Sequence, residues 1–311
     1  MHKFLLFSTF SAVLNLFFAF AAQAQVAVNG LYKSNTYVCE VENLDMPDGK
    51  LPLGSFKLVS GDNMTGFNNN PAWSVKHDDV LYLAVSRDNK TSDIVEYDIE
   101  KRCRRQVTFT DEENEIMARP MYDYAHCAAL TVERSKIMRL HKFRIDTLNE
   151  PKIFAGDMDQ ATNYLFMNLY GMAVYLADNK NVAYLDFTPV NGEESVKVER
   201  VSAQCASNLQ INTRGDLYFL YKKNDGEWQI KIYDHKTGKN RTVCSTLQPG
   251  IENFTVLPDN SLICAKGSTI YRLFPDRAPV WQVAADLQDV GIFKITQLVC
   301  NKKGKIAIVT E

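Results

Sequence analysis

Six polar residues recur along the chain at near-constant spacing: Asn70, Arg119, Asn163, Asn208, Asn253 and Gln297, separated by 49, 44, 45, 45 and 44 positions. Five are side-chain amides and one is a guanidinium. An amide carries both a donor and an acceptor, and its carbonyl oxygen suits a hard, calcium-like cation. A ring of such groups can hold a polar ligand or an ion. It can also do something plainer, satisfying backbone groups at strand starts and retaining water. Other chemistry is poorly supplied, because the chain has no G-x-S-x-G, S-x-x-K or H-E-x-x-H signature. His77 and His126 fall in turns, His235 follows a strand end, and His141 alternates with apolar neighbours where it is expected to face solvent. The catalytic alternative is a metal-dependent hydrolase of the lactonase type, with Asn163, Asn208 and Asn253 as ligands of a calcium-like ion and Glu252 or Asp159 as acid. Against it stands the lack of any carboxylate at a ring position, since hard cations prefer anionic oxygens. The expectation is therefore no cofactor and no catalytic residue.

These six residues share one context: each opens a hairpin. The segments run Asn70-Pro71-Ala72-Trp73 to "VLYLAV", Arg119-Pro120-Met121-Tyr122 to "CAALTV" and Asn163–Phe166 to "MAVYLA". The series continues with Asn208–Ile211 to "LYFLY", Asn253–Val256 to "SLICA" and Gln297–Cys300 to "IAIV". A shorter alternating strand follows in five of them ("DIVEYD", "MRLHKF", "VAYLDF", "QIKIYD", "TIYRLF"), and then a fourth. Period-two alternation, β-branched and aromatic enrichment and Gly/Asn/Asp turns are hairpin chemistry. Four strands in about 45 residues make a propeller blade.

The hairpin at 297–309 has no third or fourth strand behind it, and 35–60 ("TYVCEV", "GSFKLVS") is a third and fourth strand with no hairpin before it. Joined, they complete one blade from both ends of the chain, which pairs edges that would otherwise stand open. The expected fold is all-β: a single six-bladed β-propeller over 35–311. In a propeller the first strand of each blade is innermost, so the six residues should ring the channel. Trp73, Tyr122 and Phe166 should pack between blades as core.

The loops leading into the ring share one face: "GDNMTGFNN" (Gly61–Asn69), "DEENEIMA" (Asp111–Ala118), "GDMDQAT" (Gly156–Thr162) and "QPGIE" (Gln248–Glu252). Their acids form a mixed mouth suited to a cation, a basic peptide or a polar small molecule, though any single acid there is expected only to be solvated.

Ahead of the propeller, His2 and Lys3 precede an almost wholly apolar run from Leu5 to Ala21, and Ala22-Gln23-Ala24 places small residues where a signal peptidase reads. Residues 1–24 are read as a signal peptide cleaved after Ala24, and 25–34 as a short connecting segment. The protein is expected to be periplasmic or secreted, with no later membrane span. With 35 basic residues against 37 acidic and one dense basic run, "EKRCRR", no nucleic-acid footprint emerges. Seven cysteines without a C-x-x-C pair give no zinc or redox motif.

Asn70-Pro71-Ala72-Trp73, Leu257-Pro258-Asp259-Asn260, Ser92-Asp93-Ile94 and the segment Thr108–Pro120 resemble the WD40-like propeller repeats of the TolB-like family. The resemblance covers 35–311 in degenerate copies. It implies a docking surface for proteins or ligands in the bacterial periplasm, here a monomer that engages an envelope protein or peptide at the channel mouth without catalysis.

Overall fold

The computed structural model describes residues 31–46, 48–110, 112–147, 152–154, 161–189 and 196–311. The signal peptide and its cleavage site, the first residues of the connecting segment, Asp111, most of 156–162 and the candidate acid Asp159 lie outside the described residues.

The strands group into six four-stranded antiparallel sheets. Blade 1 is built from both ends of the described chain: β1 (Asn35–Glu40) and β2 (Lys57–Leu58), with β23 (Ile295–Cys300) and β24 (Lys305–Thr310). Blade 2 holds β3 (Phe67–Trp73), β4 (Val80–Ser86), β5 (Asp93–Asp98) and β6 (Cys103–Gln106). Blade 3 holds β7 (Asn114–Pro120), β8 (His126–Val132), β9 (Met138–Arg144) and β10 (Lys152–Ile153). Blade 4 is β11 (Ala161–Phe166), β12 (Gly171–Leu176), β13 (Asn181–Asp186) and β14 (Lys197–Ser202). Blade 5 is β15 (Cys205–Ile211), β16 (Leu217–Lys222), β17 (Trp228–Asp234) and β18 (Lys239–Ser245). Blade 6 is β19 (Phe254–Val256), β20 (Leu262–Lys266), β21 (Thr269–Phe274) and β22 (Ala278–Asp286). In blade 1 the order is β2-β1-β24-β23, with Asn35 opposite Thr310 and Glu40 opposite Lys305.

Burial explains why the second strands read as unbroken apolar runs. Ala128, Ala129 and Leu130 of β8, Met172, Ala173 and Val174 of β12, and Ile306, Ala307 and Ile308 of β24 are all fully buried. A blade is covered on both faces by its neighbours, so consecutive side chains enter apolar surroundings on either side and alternation disappears. Alternation returns outward, and β18 is exposed along most of its length.

Turn chemistry sets the register. In "NTRGD" and "NKKGK", Asn212 and Asn301 each accept two backbone N–H groups through Oδ1, at 2.9–3.0 Å. Gly215 (φ +85°) and Gly304 (φ +86°) then supply the left-handed step that a Cβ would oppose.

One buried cation also anchors the fold. Arg272, fully buried on β21, reaches Asp259 at 2.6 Å, Ser261 Oγ at 2.9 Å and the carbonyls of Leu44 and Lys50 at 2.9 and 3.2 Å. It ties the segment after β1 to blade 6. The seven cysteines are all free thiols. Burial lifts Cys39 and Cys264 to about 12, so they serve as small apolar side chains.

Two readings of the sequence are corrected. His141 does not face solvent: it is buried, with Nε2 3.4 Å from Glu133 Oε1. Glu115, one of the acids read as loop solvation, begins the core of blade 3 and is fully buried, because the chain is already pairing as β7 from Asn114.

Candidate functional site

All six ring residues line one cavity of about 100 Å³ on the propeller axis. A repeated backbone irregularity aims them there. The pairing of the innermost strand with its neighbour slips between Asn69 and Ala72, Ile116 and Arg119, Ala161 and Asn163, Cys205 and Leu209, and Ile295 and Gln297. In the remaining blade, Asn253 immediately precedes β19. A bulge adds an unpaired residue and re-aims its side chain. At two of these bulges a non-glycine residue is left-handed, Asn70 at φ +51° and Met117 at φ +53°.

The ring is divided by hydrogen bonding. Asn163 Nδ2 donates to the Ser207 carbonyl of the next blade at 2.5 Å, and its Oδ1 accepts from Tyr164 N at 2.7 Å. Asn208 Nδ2 donates to the carbonyls of Glu252 and, at 3.0 Å, Phe254, while its Oδ1 accepts from Gln210 Nε2 at 2.9 Å. Asn253 Nδ2 donates to Ile295 O at 3.4 Å, and its Oδ1 accepts from Ala265 N at 3.2 Å. Each of these amides is a clamp from one blade to the next, so blades 4, 5, 6 and 1 are stitched in series. The side chains of Gln297, Asn70 and Arg119, on the consecutive blades 1, 2 and 3, carry no such clamp among the described residues. Among the described residues Arg119 makes one hydrogen bond, Nη1 to Ala118 O at 3.1 Å, and no ion pair.

The charges around the channel follow from this. Glu252 accepts from Ser207 Oγ at 2.9 Å and lies 3.9 Å from Lys222 Nζ, so its charge is answered locally. Arg119 has no carboxylate beside it among the described residues. Burial pulls the guanidinium below its ordinary value, and it nonetheless stays charged. The donor set does not suit a hard cation: the amide oxygens of Asn163, Asn208 and Asn253 already accept N–H groups, and a guanidinium shares the cavity. Among the described residues no group of three His, Cys, Asp or Glu side chains could hold a metal ion.

Three residues beyond each ring position stands a second ring: Trp73, Tyr122, Phe166, Ile211, Val256 and Cys300. All but Val256 line a funnel of about 420 Å³ at the hairpin-turn end of the channel. Its aromatic side comes from blades 2, 3 and 4, and Pro71 and Pro120 complete that wall. Trp73 is held by its Nε1, which donates to Val299 O at 2.9 Å. These aromatics do pack between blades, as the sequence suggests, and they also line the funnel, which the sequence reading missed. The repeated Pro-x-aromatic after Asn70 and Arg119 was the available signal. Arg119 lines both funnel and channel, where the two meet. Asp78 at the rim is matched by Lys302 at 3.5 Å.

Fold and site together define a six-bladed β-propeller with a polar axial channel opening into an aromatic funnel. Its fold is similar to that of a protein assigned as TolB from Agrobacterium tumefaciens (TM-score 0.58, 9% identity), over 90% of this chain and 99% of that one. It is also similar to TolB from Acinetobacter baumannii (TM-score 0.52, 12% identity), covering 89% of this chain but 64% of that one. A propeller in a nidogen/laminin complex is similar too (TM-score 0.57, 8% identity), over 86% of this chain and 97% of the other. No family model matches the chain, and no curated protein matches its sequence. At such identities the likeness concerns the fold, which hosts many activities. No helix among the described residues is long and apolar enough to cross a membrane.

Proposed function

We propose that this protein is an exported, non-catalytic propeller, acting as a monomer, that binds a protein or peptide partner in the cell envelope at the funnel end of its channel. One observation carries the reading: a concave apolar surface of about 420 Å³ narrows onto a polar channel with unclamped side chains at its floor. The surface continues outward, since Tyr124 (51% exposed) and Tyr170 (45%) stand in the hairpin turns of blades 3 and 4 on the same end. Among the described residues the channel and funnel linings include no histidine, and the channel serine, Ser207, donates to the Glu252 carboxylate. Export rests on the apolar run and small-residue triplet before Gln25.

A photo-crosslinking amino acid placed at Tyr170 should give a discrete adduct in intact cells. The same group at Val280, exposed on the outer strand β22, should give none. Equal labelling at both positions, or at neither, ends the proposal. Mass spectrometry of the envelope-fraction protein should find Gln25 at its N-terminus, and light scattering should return a monomer mass.

A further inference from the structure

Arg119 is hard to explain as a structural residue. A guanidinium is hydrated in water at little cost, and moving it into a channel floor loses that hydration. Proteins recover the loss with a carboxylate or several carbonyls, as Arg272 does here with Asp259 and two backbone oxygens. Arg119 recovers it with one carbonyl. It lines a cavity whose remaining charge among the described residues, Glu252, is already engaged. Beside it, Asn70 and Gln297 add unclamped amides that can donate N–H groups to an anion. The arrangement is complementary to a carboxylate, which a guanidinium binds through paired hydrogen bonds.

The funnel says what must be attached to that carboxylate. Its wall of Trp73, Tyr122, Phe166, Pro71 and Pro120 accepts apolar side chains directly above the guanidinium. At about 420 Å³ it lies at the small end of ligand pockets, which suits a single chain end rather than a loop with two strands of backbone. A free small acid would leave the rim of Tyr124, Leu169 and Tyr170 uncovered, whereas a polypeptide passing out of the funnel crosses it. Resting on the proposed partner-binding role and adding to it, we infer that the funnel captures the C-terminus of a polypeptide. The terminal carboxylate bonds Arg119, Asn70 and Gln297, and the last two or three apolar side chains lie against the aromatic wall.

The test uses pools of labelled heptapeptides, tethered at the N-terminus, with the last three positions varied among apolar residues. One pool ends in a free carboxylate and its twin in an amide. Wild-type protein should bind the acid pool at least about tenfold more tightly than the amide pool, the loss expected when a charge-assisted pair is removed. Arg119→Gln should erase that preference, with the larger loss falling on the acid pool. Equal binding of the two pools by wild type, or none of the acid pool, overturns the inference without depending on whether the variant folds. Hexanoate displacing the acid pool at its own pool-like affinity overturns it too, because the site would then serve small acids. Crosslinking at Tyr170 is scored separately. An adduct there, with no preference between pools, retains a partner on this face and discards the C-terminal mode.

Discussion

Replacing Glu115 by glutamine should remove a large part of the protein's loss of stability with rising pH. Glu115 is fully buried on β7, and among the described residues its carboxyl oxygens have no hydrogen bond of ordinary geometry, only weak approaches from Thr108 and Ile94. Burial, reinforced by the negative charges of Asp93 and Glu113, lifts its pKa from 4.5 to about 8. The folded state therefore holds this proton more tightly than the unfolded chain does. Its stabilising effect is complete below about pH 4.5 and is lost as pH rises through 8. At roughly 1.4 kcal/mol per pH unit within that window, some 3 kcal/mol should disappear between pH 5 and pH 7.5. Urea midpoints at half-unit intervals, with m checked for constancy, measure it in both proteins. The readout is the difference in slope between the two proteins, whatever the absolute stability of Glu115→Gln. If the two stability curves run parallel from pH 5 to 9, the carboxyl titrates normally and the burial argument fails.

Other outcomes follow from the site and its supports. Asn208→Ala should cost roughly 1–3 kcal/mol, because the carbonyls of Glu252 and Phe254 lose a shared donor, and differential scanning calorimetry should show a lower Tm. Arg272→Met should cost more, on the order of 3–5 kcal/mol, since Asp259 and two carbonyls lose their cation; limited proteolysis should then cut first in 41–56. Arg119→Met should leave the melting temperature unchanged or raise it, the mark of a residue kept for binding rather than folding; a drop of several degrees would assign it a structural role. Millimolar calcium and EDTA should leave the melting temperature where it is, and a calcium-dependent rise would restore the hydrolase alternative.

The architecture was legible because it is written in local chemistry. Alternation in "DIVEYD" and "QIKIYD", and turn residues such as those of "NKKGK", act within a few residues and repeat at the blade period. The ring was legible for the same reason. What separates its members was not. Asn70 and Asn163 are the same residue at the same place in the repeat, yet only Asn163 meets a neighbouring carbonyl, and that depends on how two bulged strands approach across a blade boundary. The double role of Trp73 and Tyr122 was hidden because spacing reports which side chains turn inward, not whether the space they bound is filled. Glu115 misled because four of the five residues from Asp111 are acids and the fifth is an amide, a composition that reads as a loop.

Blade 1 has a temporal meaning. Thr310 faces Asn35 across 275 residues, whereas the other five blades are made of segments contiguous in the chain. During synthesis, β1 must wait for nearly the whole polypeptide before its neighbour exists, carrying Val38 and Cys39 without their final cover. Completion of the ring thus waits on β24. Cleavage within β24 would unlatch the molecule at the seam and leave a ready template for another chain.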